Sequence, residues 1–460
     1  MNTQEGLQKS LTPRQITMIA IGGVIGAGLF VASGAVIHSA GPAAILSYTL
    51  AGLMVVVIMR MLGEMAAARP SSGAFAVYAG EARGPWAAYT IGWVYWYFWV
   101  ITIAFEATAG AAIINQFLPS LPVWLTSIVL TALLAFTNSW SVRAFGEFEF
   151  WFASIKVATI IVFLIVGVAY ILGLLPWAHS PGFSNVFGRG GFMPNGLAAV
   201  GAGVVMVVFS FFGSEIAAVA AAESSDPVKN VTIAIKTVVV RILMFYIGSI
   251  AVIIFLVPWD STKILQSPFV TVFQLAHIPM APQIMNFVVL TAVLSCLNSG
   301  LYTSSRIIYG IAAEGYAPKV FTKLSRRGVP IVALWAGTIG SLIAAFFSYT
   351  SPEGVFLFLI NACGAVALLV YLTICISQII KRKQAERTGQ ELVLKMWCFP
   401  YLSYLAVLYV VAIMLAMLYY PNLRSQVLLT ALVTIIIMGS YFLLFKGKEK
   451  TQEDVRIDVN

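Results

Sequence analysis

The chain runs to 460 residues, of which 60% are hydrophobic and only 10% charged, with 27 Lys+Arg against 18 Asp+Glu and a formal charge of +9. A soluble domain carries about 25% charged residues, so a soluble enzyme, a nucleic-acid-binding domain and a secreted module are all excluded. The positive excess fits cytoplasmic loops of a membrane chain better than an acidic partner.

A helix that crosses a bilayer needs roughly 20 mostly apolar residues. Twelve segments qualify, in chain order 15–37, 43–65, 86–114, 122–138, 149–173, 198–221, 237–258, 284–308, 331–349, 354–379, 401–420 and 426–445. Apolar runs of this length exclude the short alternating strands of an outer-membrane barrel, so the expected fold is an all-α membrane protein with 12 transmembrane helices. The loops 38–42, 115–121, 174–197, 259–283, 350–353 and 421–425 hold three Lys/Arg between them, Arg189, Lys263 and Arg424. Clusters such as Lys319, Lys323, Arg326, Arg327 and Lys381, Arg382, Lys383, Arg387 lie on the other side. The positive-inside rule therefore puts both termini, 1–14 and 446–460, in the cytoplasm of a multi-pass plasma-membrane protein. The segment Met18–Ile37 lacks an A-x-A exit and is not expected to be a cleaved signal. Cys296, Cys363, Cys375 and Cys398 show no CxxC spacing, so neither a disulfide framework nor a metal site is expected.

Two spans carry glycine interruptions at matching positions. The first contains Gly22-Gly23-Val24-Ile25-Gly26-Ala27-Gly28, and the sixth contains Phe209-Ser210-Phe211-Phe212-Gly213-Ser214-Glu215. Small residues also let membrane helices pack closely, but interruptions in corresponding spans point to an inverted-repeat secondary transporter. The expected organisation is a five-helix repeat at 15–173, a second inverted repeat at 198–379 and two additional helices at 401–445. Unwinding frees backbone groups that lipid cannot satisfy. A half-helix starting near Gly26 would aim its N–H groups at a carboxylate, and one ending near Ile21 and Gly22 would offer carbonyls to an ammonium. The predicted ligand is thus a small zwitterion, lined by Ile21, Gly22, Gly26, Ala27, Gly28, Phe209, Ser210, Phe211 and Gly213.

Ionisable residues inside a membrane are costly and usually mark a pathway. Glu106, Lys156 and Glu215 fall mid-span, whereas Arg60, Glu64, Glu149, Arg241 and Arg306 sit near cytoplasmic ends and are expected to snorkel as anchors. Burial pushes such groups towards loading and releasing a proton, and Lys156 is the first choice for proton coupling, with Ser295, Asn298 and Ser299 as possible partners; a purely structural ion pair is the other reading of such charges. The proton is the coupling ion, and no other cofactor is expected. The aromatic run Trp93, Trp96, Trp99 is expected to be mostly an interfacial belt.

These motifs, with Arg60-Met61-Leu62-Gly63-Glu64-Met65, Ala222-Glu223-Ser224, Gly146-Glu147-Phe148-Glu149-Phe150-Trp151 and Ser295-Cys296-Leu297-Asn298-Ser299, resemble the amino acid permeases of the amino acid–polyamine–organocation superfamily over essentially the whole chain. Gly191-Phe192-Met193-Pro194-Asn195-Gly196 and Gly364-Ala365-Val366-Ala367-Leu368-Leu369 resemble the bacterial GABA permeases within that family. The resemblance implies a LeuT-like five-plus-five repeat, alternating access and proton-linked uptake of a small amino acid. GABA is the leading candidate, with proline, alanine, asparagine or aromatic amino acids as alternatives. It also implies that Lys156 stands where sodium-coupled relatives hold a cation, and that Gly26–Gly28 and Phe209–Phe211 line a substrate pocket with Glu106 and Glu215 at the same site. Ala27 replaces a hydroxyl found in some relatives, which leaves carboxylate binding to backbone N–H groups. An exchanger remains a rival, and a channel or sensor a more distant one; no HExxH or GxSxG marks an enzyme. The expected partners are the substrate, protons and the bilayer, with no nucleic acid and no oligomeric state specified.

Overall fold

The computed structural model describes residues 12–445 apart from 23, 24, 31, 72, 178, 222–225, 350–358 and 360–364, and every regular element among the described residues is helical. In chain order they are α1 (Pro13–Gly22), α2 (Ala27–Phe30), α3 (Ser33–Ala40), α4 (Ala44–Ala68), α5 (Ala74–Arg83), α6 (Pro85–Phe117), α7 (Val123–Trp140), α8 (Val142–Ile171) and α9 (Ser184–Phe187). The second half begins with α10 (Gly196–Ser210), α11 (Ile216–Ala221), α12 (Pro227–Arg241) and α13 (Gly248–Leu256). It continues through α14 (Lys263–Gln266), α15 (Pro268–Leu275), α16 (Ala281–Ala313), α17 (Ile331–Ala336), α18 (Ile339–Ser348), α19 (Val366–Thr388), α20 (Tyr401–Tyr419) and α21 (Pro421–Phe445).

Eight helical stretches among the described residues are long and apolar enough to cross a membrane, against twelve expected segments. The difference has local causes. The 15–37 segment is divided among α1, α2 and α3, and 198–221 between α10 and α11. A π-helical turn at Ile242–Ile247 splits 237–258, and part of 354–379 lies outside the described residues. The Ala222-Glu223-Ser224 motif, Gly23, Val24 and Gly364 also lie outside them.

The long helices pack through small residues, because in lipid close van der Waals contact replaces the hydrophobic drive between helices. Helices α6 and α16 run against each other; a Cβ at Gly300 would stand 3.0 Å from both Ile103 Cγ1 and Trp99 Cε3. Helix α1 is held by α8, α11 and α12, while α10 lies against α3 and α4. The outward faces of α8, α18 and α21 expose Ile165, Phe346, Ile435 and Leu443, apolar surface that suits acyl chains rather than water.

Three expected anchors are not at the surface. Glu64 is 3% exposed and lies in a knot under the segment after α19: Gln378 Nε2 donates to its Oε1 (2.9 Å), and Arg382 Nη1 (3.2 Å) and the Met396 amide (2.5 Å) donate to its Oε2. Arg306 is 1% exposed and lies 4.1 Å above the ring of Tyr302, which stacks on Phe145. Glu149 is fully buried. A folded cap over the helix ends and facing polar side chains satisfy these groups, so snorkelling is unnecessary. Arg60 behaves more as expected, partly exposed over Trp397 and bonded to the Lys395 carbonyl; the side chain of Arg241 lies outside the described residues.

Candidate functional site

Both glycine-bearing segments are interrupted. Helix α1 stops at Gly22 and α2 starts at Ala27, with Ile25 and Gly26 non-helical between them. Helix α10 stops at Ser210, residues 211–215 form turns, and α11 starts at Ile216. Gly213, at φ 103°, occupies a backbone region that favours glycine.

The two interruptions touch. Ser210 Oγ donates to the Gly28 carbonyl at 3.3 Å, and a Cβ on Gly28 would meet Ser210 Oγ at 2.9 Å and its Cα at 3.0 Å. A Cβ on Gly26 would meet Cys296 Sγ at 3.0 Å, which brings the first break against α16. Protein groups cover the backbone freed at the second break. Tyr246 Oη donates to the Ser210 carbonyl (2.8 Å), while Ser214 Oγ (3.0 Å) and Tyr371 Oη (3.5 Å) donate to the Phe211 carbonyl. Such partners are what an opened helix requires away from water.

Lys156 and Glu215 are fully buried, and Glu106 is 7% exposed. Lys156 Nζ donates to Ser295 Oγ at 2.9 Å, and that hydroxyl donates onward to Glu149 Oε1 at 2.5 Å. Asn298 Nδ2 donates to Glu149 Oε2 at 3.2 Å, and Asn138 Nδ2 to Asn298 Oδ1 at 2.7 Å. One buried polar chain therefore crosses α7, α8 and α16, with Ser299 fully buried on the same helix as Ser295. Glu106 lies within electrostatic reach of Lys156 and Cys296, and its Oε2 has no hydrogen-bond partner among the described residues. Glu215 differs sharply: Tyr95 Oη donates to its Oε1 at 3.0 Å and the Gly213 amide to its Oε2 at 3.0 Å. It braces the turn from inside.

The structure thus brings together Gly26, Gly28, Ser210, Phe211 and Gly213 at the paired breaks, and Lys156, Ser295 and Asn298 in the polar chain beside them. Ile21, Gly22, Ala27 and Phe209 lie on the same segments, their side chains outside the described residues. Glu149, Asn138 and Tyr95 are the residues that sequence reasoning passed over. Glu149 precedes Lys156 by seven positions, two helical turns, so both share one face of α8; that spacing was readable. Of the aromatic run, Trp99 is buried with its neighbours Tyr95 and Phe98, Phe98 packs edge-on against Phe212 at 4.4 Å, and Trp93 and Trp96 are half-buried. A surface cavity of about 300 Å³ near Trp140 and Arg327 has no residue of either break in its lining.

A family model described as amino acid permease matches residues 15–453. A gamma-aminobutyric acid permease of Bacillus subtilis (strain 168) is 55% identical over 97% of this chain and 95% of its own length. A probable GABA permease of Pseudomonas aeruginosa is 45% identical over 97% and 95%, and a gamma-aminobutyric acid permease of Escherichia coli (strain K12) is 43% identical over 95% and 94%. The chain belongs to the amino acid permease family, within the amino acid–polyamine–organocation superfamily, and is a multi-pass membrane protein rather than an enzyme.

Proposed function

We propose that this protein imports a small amino acid, GABA first among them, across the plasma membrane by alternating access, with protons as the coupling ion. The observation that carries this reading is the contact of two opened helices at Gly28 and Ser210, with the buried Lys156–Ser295–Glu149 chain beside them. The names of the relatives favour GABA as cargo. The reading includes a five-plus-five inverted repeat at 15–173 and 198–379, additional helices at 401–445 and cytoplasmic termini.

In this proposal the substrate carboxylate meets the main-chain N–H groups around Gly26–Gly28, and the partnerless Oε2 of Glu106 supplies an acceptor for the ammonium. Glu215 acts differently: with both oxygens engaged by Tyr95 and Gly213, it holds the shape of the second break. Lys156 carries the coupling. When its ammonium is present, Ser295 of α16 stays drawn towards α8, which carries both Lys156 and Glu149; when the proton leaves, that link between α8 and α16 loosens and the breaks part. The two segments touch at Gly28 and Ser210, so cargo enters only once they separate.

Uptake of radiolabelled GABA into proteoliposomes under an imposed proton gradient, with competition by unlabelled amino acids, tests this function. Uphill accumulation that collapses with the gradient and yields first to GABA is expected. Equilibration without accumulation favours a channel, and dependence on internal substrate favours an exchanger. For Lys156→Ala the expected result is binding or exchange without gradient-driven accumulation.

A further inference from the structure

A second cavity has no residue of either helix break in its lining. It measures about 220 Å³ and runs between α5, α6, α19 and α21, walled by Trp86, Ile91, Leu372, Ile376 and Met438. Its lining is mainly apolar, but Thr90 is 7% exposed with a hydroxyl that has no partner among the described residues. Arg83 stands at the same cavity, exposed at the C-terminus of α5. Its guanidinium makes no hydrogen bond or ion pair among the described residues.

Two positions before Arg83 in sequence, Glu81 is already bridged by two other cations, Arg69 and Lys381. Beside the groove an aromatic collar of Tyr89, Tyr316, Tyr441 and Phe445 joins α6 to α21, with Tyr89 Oη and Ser440 Oγ 2.8 Å apart. Amphipathic rings of this kind collect at headgroup depth. Helix α21 turns Leu432, Ile435 and Ile436 outward, so the groove borders acyl chains.

We propose that this groove is a binding site for an anionic phospholipid, with one acyl chain between α6, α19 and α21 and the phosphate on Arg83. An apolar slot, a hydroxyl without a partner and a surplus cation match the three parts of such a lipid in order: chain, ester region and phosphate. The site does not depend on the transport reading.

The test uses the full-length protein in detergent with added lipid, reading retained lipid by native mass spectrometry and the thermal midpoint by unfolding. Phosphatidylglycerol should be retained and should raise the midpoint by several degrees more than phosphatidylcholine with the same chains. Arg83→Gln, a surface change, should abolish that preference, and Ile376→Trp should fill the slot and release both lipids. Soluble glycerol phosphate should reproduce neither effect. Equal retention of the two lipids, a preference that survives Arg83→Gln, lipid retained by Ile376→Trp, or an equal shift with glycerol phosphate would each overturn the assignment.

Discussion

At Gly28 there is space for a hydrogen atom and little more, because Ser210 presents its own backbone at 3.0 Å from where a Cβ would stand. Gly28→Ala should therefore push the two breaks apart at an overpacking cost of about 1–3 kcal/mol and sharply reduce GABA uptake. Gly201→Ala on α10, with nothing within 4 Å of the added methyl, should leave uptake unchanged, so equal rates in the two variants would remove the contact from the mechanism. The polar chain allows a second comparison. Glu149→Gln removes the anion from a buried, cation-linked group, a change that typically costs about 3–5 kcal/mol when one partner is left uncompensated. Adding Lys156→Met should restore much of the thermal stability but none of the proton-driven accumulation. Lys156 was legible in the sequence because a lysine mid-span has few bland explanations. Glu149 was legible only as a neighbour of Lys156 on one helix face: it follows Arg143 and Glu147 closely, which made it look interfacial, and nothing in the sequence says that Ser295 and Asn298 on a distant helix turn towards it.

Among the helices, the seam between α6 and α16 connects packing to the site. Gly300 accepts Trp99 and Ile103 against its bare backbone, and Trp99 in turn packs edge-on against Tyr95 at 6.0 Å. A branched side chain at 300 has no flexible neighbour to displace, so Gly300→Val should lower the thermal midpoint and, by moving Trp99, disturb the Tyr95–Glu215 hydrogen bond as well. Gly439→Val on α21, where nothing lies within 4 Å, should do neither; matching midpoints would show that the seam tolerates bulk. The first break was legible from its concentration of glycines. The second was marked only by Gly213 and an acid, and its tyrosine supports come from remote helices. The π-helical turn at Ile242–Ile247 left no trace in the sequence, since ILMFYI fits an ordinary apolar helix equally well.

For the molecule as a whole, the asymmetry of Lys and Arg is the strongest long-range signal in the chain, and it requires no contact map. In the orientation proposed from that asymmetry, the α19–α20 connection, with exposed Cys398, faces the cytoplasm. A membrane-impermeant thiol reagent should therefore modify Cys398 in inside-out vesicles and not in intact cells, as read by peptide mass mapping; the reverse pattern would invert the orientation. The same mapping probes the substrate path. Cys296 is a partly exposed thiol that meets the first break at Gly26 and lies within electrostatic reach of Glu106 and Lys156. A molecule held between the breaks must cover this sulfur or keep the breaks closed over it, so saturating GABA should slow modification of Cys296 by a small permeant maleimide severalfold while Cys398 reacts at an unchanged rate. If GABA protects neither thiol although uptake is intact, the cargo travels by another route, and the meeting of Gly28 with Ser210 is only a packing contact.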